Sequence, residues 1–220
     1  MPRVAHPLWP LFDLRLRTGN LELRLPTDDD IAELTALASA GIHPPEEMPF
    51  GFAWTDAPSP EFERNTARFY WLHRANWQPN AWTLPLGVFV DHRAAGVQDI
   101  NAKDFAILRT VHTGSWLGSG YQGKGIGRLM RQAVLTLAFD HLGAEVAESG
   151  AFLDNPASWH VSEAIGYEPN GIDRLAPRGV PRELRRYRLT IEGWRSKLRP
   201  AVEVEGLEGC REMFGLPAAG

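Results

Sequence analysis

The 220-residue sequence holds one cysteine, Cys210, so no internal disulfide can form and a thiolate metal cluster is excluded. None of its seven histidines falls in HExxH spacing, so no metal is expected. Basic charge is not in excess. The 23 Lys and Arg residues face 27 Asp and Glu, a net charge of −4, which argues against a nucleic-acid surface over the whole chain. One local cluster, Arg182, Arg185, Arg186 and Arg188, reads as the solvated face of an edge strand. No apolar run approaches the ~18 residues that span a bilayer. The stretch 8–12 is broken by Pro10 and is too short for a signal sequence. Repeats and low-complexity tracts are also missing. These absences predict a cytoplasmic protein without membrane or nucleic-acid partners.

What is present is a globular composition, 44% hydrophobic and 23% charged, in a length suited to one domain. Residues 1–20, with Pro2, Pro7 and Pro10, read as an irregular arm. The alternation Leu-Glu-Leu-Arg-Leu over 21–25 predicts a half-buried strand. Thr27 and Asp30 then form a capping-box-like pair ahead of a helix that Gly41 stops. Residues 42–60 are a proline- and aromatic-rich loop of the length that usually serves as a lid or binding loop. A helix over 61–77 and strands over 82–90, 94–101 and 107–117 follow. Residues 201–220 lie beyond the main domain of 21–200, as an extension packed on it or placed at an oligomer interface.

The informative segment runs from Gly114 to Met130. A strand enters a glycine cluster, and a helix follows with Ile126, Leu129, Met130, Ala133, Val134 and Leu137 on one face. Glycines ahead of a helix N-terminus expose backbone N–H groups, which with the helix dipole make an anion site. Gly118, Gly120 and Gly123 spell GxGxxG, but several elements precede them and no acid follows at the ribose position about 20 residues on. Gly118 to Lys124 also approach a Walker A loop, but Gly125 stands where Ser or Thr must hold magnesium. A dinucleotide oxidoreductase and an NTPase therefore both fit poorly.

Gln122, Gly123, Lys124, Gly125, Ile126 and Gly127 resemble the Q/R-x-x-G-x-G/A pyrophosphate signature of the GNAT (GCN5-related N-acetyltransferase) superfamily. A second segment agrees with it. Asn155, Pro156 and Ser158 open a short helix that ends in Gly166-Tyr167, like the family's N-x-x-S/A helix. Ser158 and the Leu117-Gly118 pair resemble the RimJ/RimL-like branch. The resemblance is firm over 115–167.

It implies a three-layer α+β (α/β/α) GNAT fold. Its mixed, mostly antiparallel sheet would have about six or seven strands, splayed between the fourth and fifth. It also implies an N-acyltransferase that moves acetyl, or succinyl or another acyl group, from coenzyme A to a primary amine of a small molecule or protein, by direct transfer in a ternary complex. A coenzyme A-binding sensor that has lost catalysis is the alternative. Acyl-CoA would lie along Trp116, Leu117, Gly118, the loop 122–127, Asn155 and Ser158, with the thioester carbonyl polarised by a backbone N–H near Leu117. A homodimer is compatible with the family.

Two departures stand out. The family's tyrosine acid, seven residues after the motif Asn, is replaced by Ser162, and the strand before the loop carries no glutamate. Asp104 and His112 are the candidate bases, and Ser158 is a candidate for assisting the thiolate. On the acceptor side His43, Glu47 and Trp54 could recognise a cationic amine by charge and cation–π contact. An acidic acyl group would require a cation in its pocket, with Arg64, Arg68 and Arg109 as candidates.

Overall fold

A computed structural model describes residues 6–217. A 3-10 turn over Pro10–Asp13 leads into a hairpin, β1 (Arg15–Thr18) and β2 (Leu21–Arg24), turned through Gly19 at φ 59°. Helix α1 (Asp28–Ser39) begins where the capping box predicts it. The Thr27 hydroxyl accepts from the Asp30 N–H, and Asp30 accepts from the Thr27 N–H at 2.8 Å. Helix α2 (Glu61–Ala75) leads to the long hairpin β3 (Ala81–Val90) and β4 (Arg93–Lys103). The short helix α3 (Phe105–Leu108) precedes β5 (Thr110–Leu117). Helix α4 (Ile126–Leu135) runs into a π-helical stretch over Thr136–Leu142 that Gly143 closes at φ 76°. The chain then forms β6 (Val146–Phe152), α5 (Pro156–Ile165), β7 (Glu168–Leu175), β8 (Arg182–Thr190), α6 (Ile191–Arg195) and β9 (Glu203–Glu205).

The nine strands form one sheet in the order β7-β8-β6-β5-β4-β3-β2-β1-β9. All pairs are antiparallel except β5–β6. That parallel pair is short: it joins Thr110, Val111 and His112 to Val146, Ala147 and Glu148, and then the strands part. This is the expected splay, carried by β5 and β6 because one strand has been added in front.

The sheet is larger than the sequence suggests, for three reasons. β1 is four residues long and follows a run of prolines, so the alternation around Leu16 is too brief to register. β7 is mostly exposed and is interrupted at Gly171, φ 99°, so it shows no apolar period. β9 has three residues and is recognisable only by its pairing with β1. The stretch expected as strand from 107 starts instead at Thr110. Asp104 (φ 51°) and Arg109 (φ 48°), both left-handed, bracket the helical turn of α3.

Helices α1 and α2 cover one face of the sheet, and α4 and α5 cover the other. The larger core lies under α4, with Leu16, Leu23, Leu84, Leu86, Val88, Val134 and Leu137 buried. The tail completes it: Leu207, Cys210, Phe214 and Leu216 are buried in the same cluster. Phe214 meets Trp77 and Trp82 edge-on, and the Trp77 indole donates to the Met213 carbonyl at 2.8 Å. Residues 10–18 and 203–216 are thus integral to the domain. Among the described residues no helix is long and apolar enough to cross a membrane, and no group of three or more His, Cys, Asp or Glu side chains could hold a metal ion.

Candidate active site

The site is built where β5 leaves β6. Gly118 follows β5, with its N–H donating to the Ala95 carbonyl on β4 at 2.9 Å. Backbone N–H groups alternate sides along a strand. Those of Leu117 and Ser115 therefore face the opposite way, into the gap toward β6. The loop beyond turns through Gly123 (φ 71°) and Gly125 (φ 79°), both left-handed. A Cβ at either position would meet open space, so the backbone angle and not crowding calls for glycine here. Gly125 caps α4, which leaves the first N–H groups of that helix pointing out of the loop without intrahelical partners. Gly123, Lys124 and Gly125 are exposed. Amides and helix dipole together favour a bound anion.

Gln122 holds this loop in place. Its side-chain amide donates to the carbonyls of Leu117 and Ile42, both at 2.8 Å, tying the glycine loop to β5 and to the long loop after α1. The start of α4 is wedged between the other parts of the site. A Cβ on Gly127 would stand 3.7 Å from Val161 of α5 and 3.8 Å from Leu117 of β5. On the β6 side Asn155 caps α5, its Oδ1 accepting from the Ser158 N–H at 3.2 Å, which leaves the Asn155 amide nitrogen free for a ligand. Trp116 and Leu117 end β5, residues 122–127 form the loop and the start of α4, and Asn155 and Ser158 open α5 after β6.

The α1/α2 face of the wedge carries a carboxyl that sequence reasoning overlooked. Asp99 of β4 is paired in register with Gly114 of β5. The absence of a side chain at 114 makes its room, since a Cβ there would fall 2.6 Å from Asp99 Oδ2. Asn101 donates to Asp99 Oδ1 at 3.3 Å. Burial pushes this carboxyl above its ordinary range, against the opposing pull of Asn101, Arg131 and the Gly114 N–H. The residue keeps some solvent exposure. The same burial, with the Asp99 charge adding to it, raises the Tyr70 hydroxyl.

The predicted bases lie apart from one another. His112 sits on the same face of β5 as Gly114, more than half exposed, with Nδ1 3.5 Å from Glu148. Asp104 lies past the closed end of the wedge, where its N–H donates to the Asn80 carbonyl. Ser162 is buried, and its hydroxyl has no hydrogen-bond partner. Cys210 is also buried, its thiol pushed up to about 12 by burial and by the nearby Asp13 and Glu208.

The long loop packs by its aromatics. Trp54 stacks on Phe62 at 5.9 Å and leans on Trp116 at 6.1 Å, while Phe50 lies between Trp54 and His43. Both ring nitrogens of His43 are engaged within the loop, with the Pro44 carbonyl and the Thr55 hydroxyl. Glu46 and Glu47 remain exposed. With Met48, Asp154, Asn155 and Arg182 they line a recess of about 360 Å³ between the loop and the β7–β8 turn. Arg178 fastens that turn to the loop through a two-point pair with Asp56 at 2.7 Å.

The family model for the acetyltransferase (GNAT) domain matches residues 20–168. The fold is similar to that of Mycobacterium smegmatis RimJ in complex with CoA-disulfide, at TM-score 0.70 and 21% identity over 83% of this chain and 90% of that one. It is also similar to RimL, a ribosomal L7/L12 alpha-N-protein acetyltransferase in complex with coenzyme A, at TM-score 0.65 and 20% identity over 81% and 99%. A spermidine N-acetyltransferase SpeG chimera from Vibrio cholerae and hSSAT aligns at TM-score 0.61 and 17% identity over 81% and 100%.

Proposed function

The chain belongs to the GNAT acetyltransferase family, and on that premise we propose that it transfers an acyl group from coenzyme A to a primary amine, directly and within a ternary complex, in the manner of the RimJ/RimL-like branch. The wedge between β5 and β6 carries this reading. It has an anion-binding helix N-terminus at its mouth, free strand amides on one wall and a capping asparagine on the other. The pyrophosphate of coenzyme A would lie on the amides of residues 123–127. Its pantetheine arm would pass between β5 and Asn155.

The chemistry needs three things from the protein. A lysine-like amine, with a pKa of ~10.4, must lose a proton before it attacks. Asp99 is our candidate base, because a carboxyl raised by burial holds a proton better than an ordinary one and lies beside Gly114, next to the thioester's path. His112, on the same face and open to solvent, would pass the proton out. The carbonyl oxygen gains charge in the transition state and needs a donor already in place, a role for the Leu117 N–H. The leaving thiolate is assigned to Ser158 in the first turn of α5. The acceptor would enter past Glu46 and Glu47, whose exposed carboxylates favour a cation.

Thermal unfolding with coenzyme A, acetyl-CoA, NADH and ATP tests the cofactor. A ligand at 100 times its Kd adds about 2.7 kcal/mol of stability. Thiol release with a polyamine, a free lysine and an N-terminal peptide then tests transfer. Stabilisation by NADH or ATP alone, or none by any compound, would sink the reading.

A further inference from the structure

Arg131 of α4 is 3% exposed and faces the sheet. Its guanidinium donates to Ser115 Oγ at 3.2 Å on β5, to Ser149 Oγ at 3.0 Å on β6 and to Gln98 Oε1 at 3.3 Å on β4. It therefore bridges the two strands just beyond their last paired residues, His112 and Glu148, at the vertex of the wedge. All three acceptors are neutral, and among the described residues Arg131 makes no ion pair. The Asp99 carboxyl lies within its electrostatic reach but forms no ion pair with it. A second buried polar group stands beside Arg131. Tyr167 is 3% exposed, and its hydroxyl lies close to Arg131 and Thr113 but outside direct hydrogen-bond geometry.

These groups lie where the acyl chain would end. Ser115 is two residues before Leu117 on the same side of β5, a separation of about 7 Å along a strand. A thioester carbonyl held at Leu117 would direct its acyl chain toward Ser115 and Arg131. We infer that the acyl pocket is built for a short acyl chain ending in a carboxylate, of about the length of succinyl, with Arg131 pairing the carboxylate and the Tyr167 hydroxyl donating to it. This rests on the acyltransferase reading and deepens it. The cation that an acidic acyl group requires is Arg131, which the sequence could not single out from the other arginines.

The test compares succinyl-CoA with butyryl-CoA, which has the same chain length but no charge, and with acetyl-CoA and coenzyme A. Binding is measured by calorimetry on the full chain, and kcat/KM is measured on any accepted amine. A charge-assisted contact of this kind predicts a preference for succinyl-CoA over butyryl-CoA of about tenfold or more. Arg131→Met should abolish that preference and Arg131→Lys should keep part of it. Tyr167→Phe should reduce it if Arg131→Met does not fold. Equal binding of succinyl- and butyryl-CoA by the unaltered protein, or a preference that survives Arg131→Met, would overturn the inference while leaving the acyltransferase reading intact. If no coenzyme A compound binds, the acyltransferase reading itself fails, and the inference with it.

Discussion

Replacing Asp99 by Asn removes a titratable group while keeping its shape, and it should move activity and stability in opposite directions. A positioned base contributes typically ~10²–10⁴ in rate. At 1.36 kcal/mol per decade that corresponds to about 3–5 kcal/mol of the barrier. Thiol release by D99N should therefore fall by at least about a hundredfold at neutral pH. Raising the pH should recover part of it, because the amine then loses its proton without help. Stability should rise. The Asp99 carboxyl is pushed up by burial, so between its unfolded and folded values the native state binds more protons than the unfolded chain. Stability then falls as pH rises through that window, and above it the folded protein bears the full cost of a buried charge. Asn removes that cost and keeps one carbonyl oxygen as an acceptor, for Asn101 or for the Gly114 N–H. Urea unfolding at neutral pH should show D99N at least as stable as the native chain. A D99N protein with native turnover between pH 7 and 8 would refute the assignment of the base. A D99N protein that is less stable would refute the account of burial.

Gly125→Ala places a side chain at φ 79° and should cost about 1–3 kcal/mol in stability, with coenzyme A affinity by calorimetry falling at the same time. Asp30 is held below the usual carboxylate range. Its burial works the other way, but bonds from Arg24 and Thr27 outweigh it. Its stabilisation is present above the unfolded pKa and is lost as pH falls through the acid range, so Asp30→Asn should flatten the acid limb of a stability–pH curve. Phe214→Ala should cost about 3–5 kcal/mol in denaturant unfolding, because this fully buried ring belongs to the main core. A cost under about 1 kcal/mol would mean that the tail is peripheral.

Several features were legible because they depend only on near neighbours. The capping box at Thr27 and Asp30, the glycine turn before Ile126, and the Asn155-Pro156 helix start are set by backbone angles and by bonds spanning three residues. A reading of the sequence reaches these directly, and with them the mouth of the site and the family. The deeper part of the site was not accessible in this way. Asp99 and Gly114 are fifteen positions apart, and the pairing of β4 with β5 is what sets that carboxyl against bare backbone. Arg131 looks like any other helical arginine until three strands supply it with neutral hydrogen-bond acceptors and no ion pair. The tail reads as an extension until β9 pairs with β1 and Phe214 meets Trp77 and Trp82. The sequence by itself determined where the chain turns, caps and exposes its amides, because those are local backbone choices. Which charge is buried and what faces it was decided only by the tertiary structure, because burial and register are properties of residues far apart in the chain.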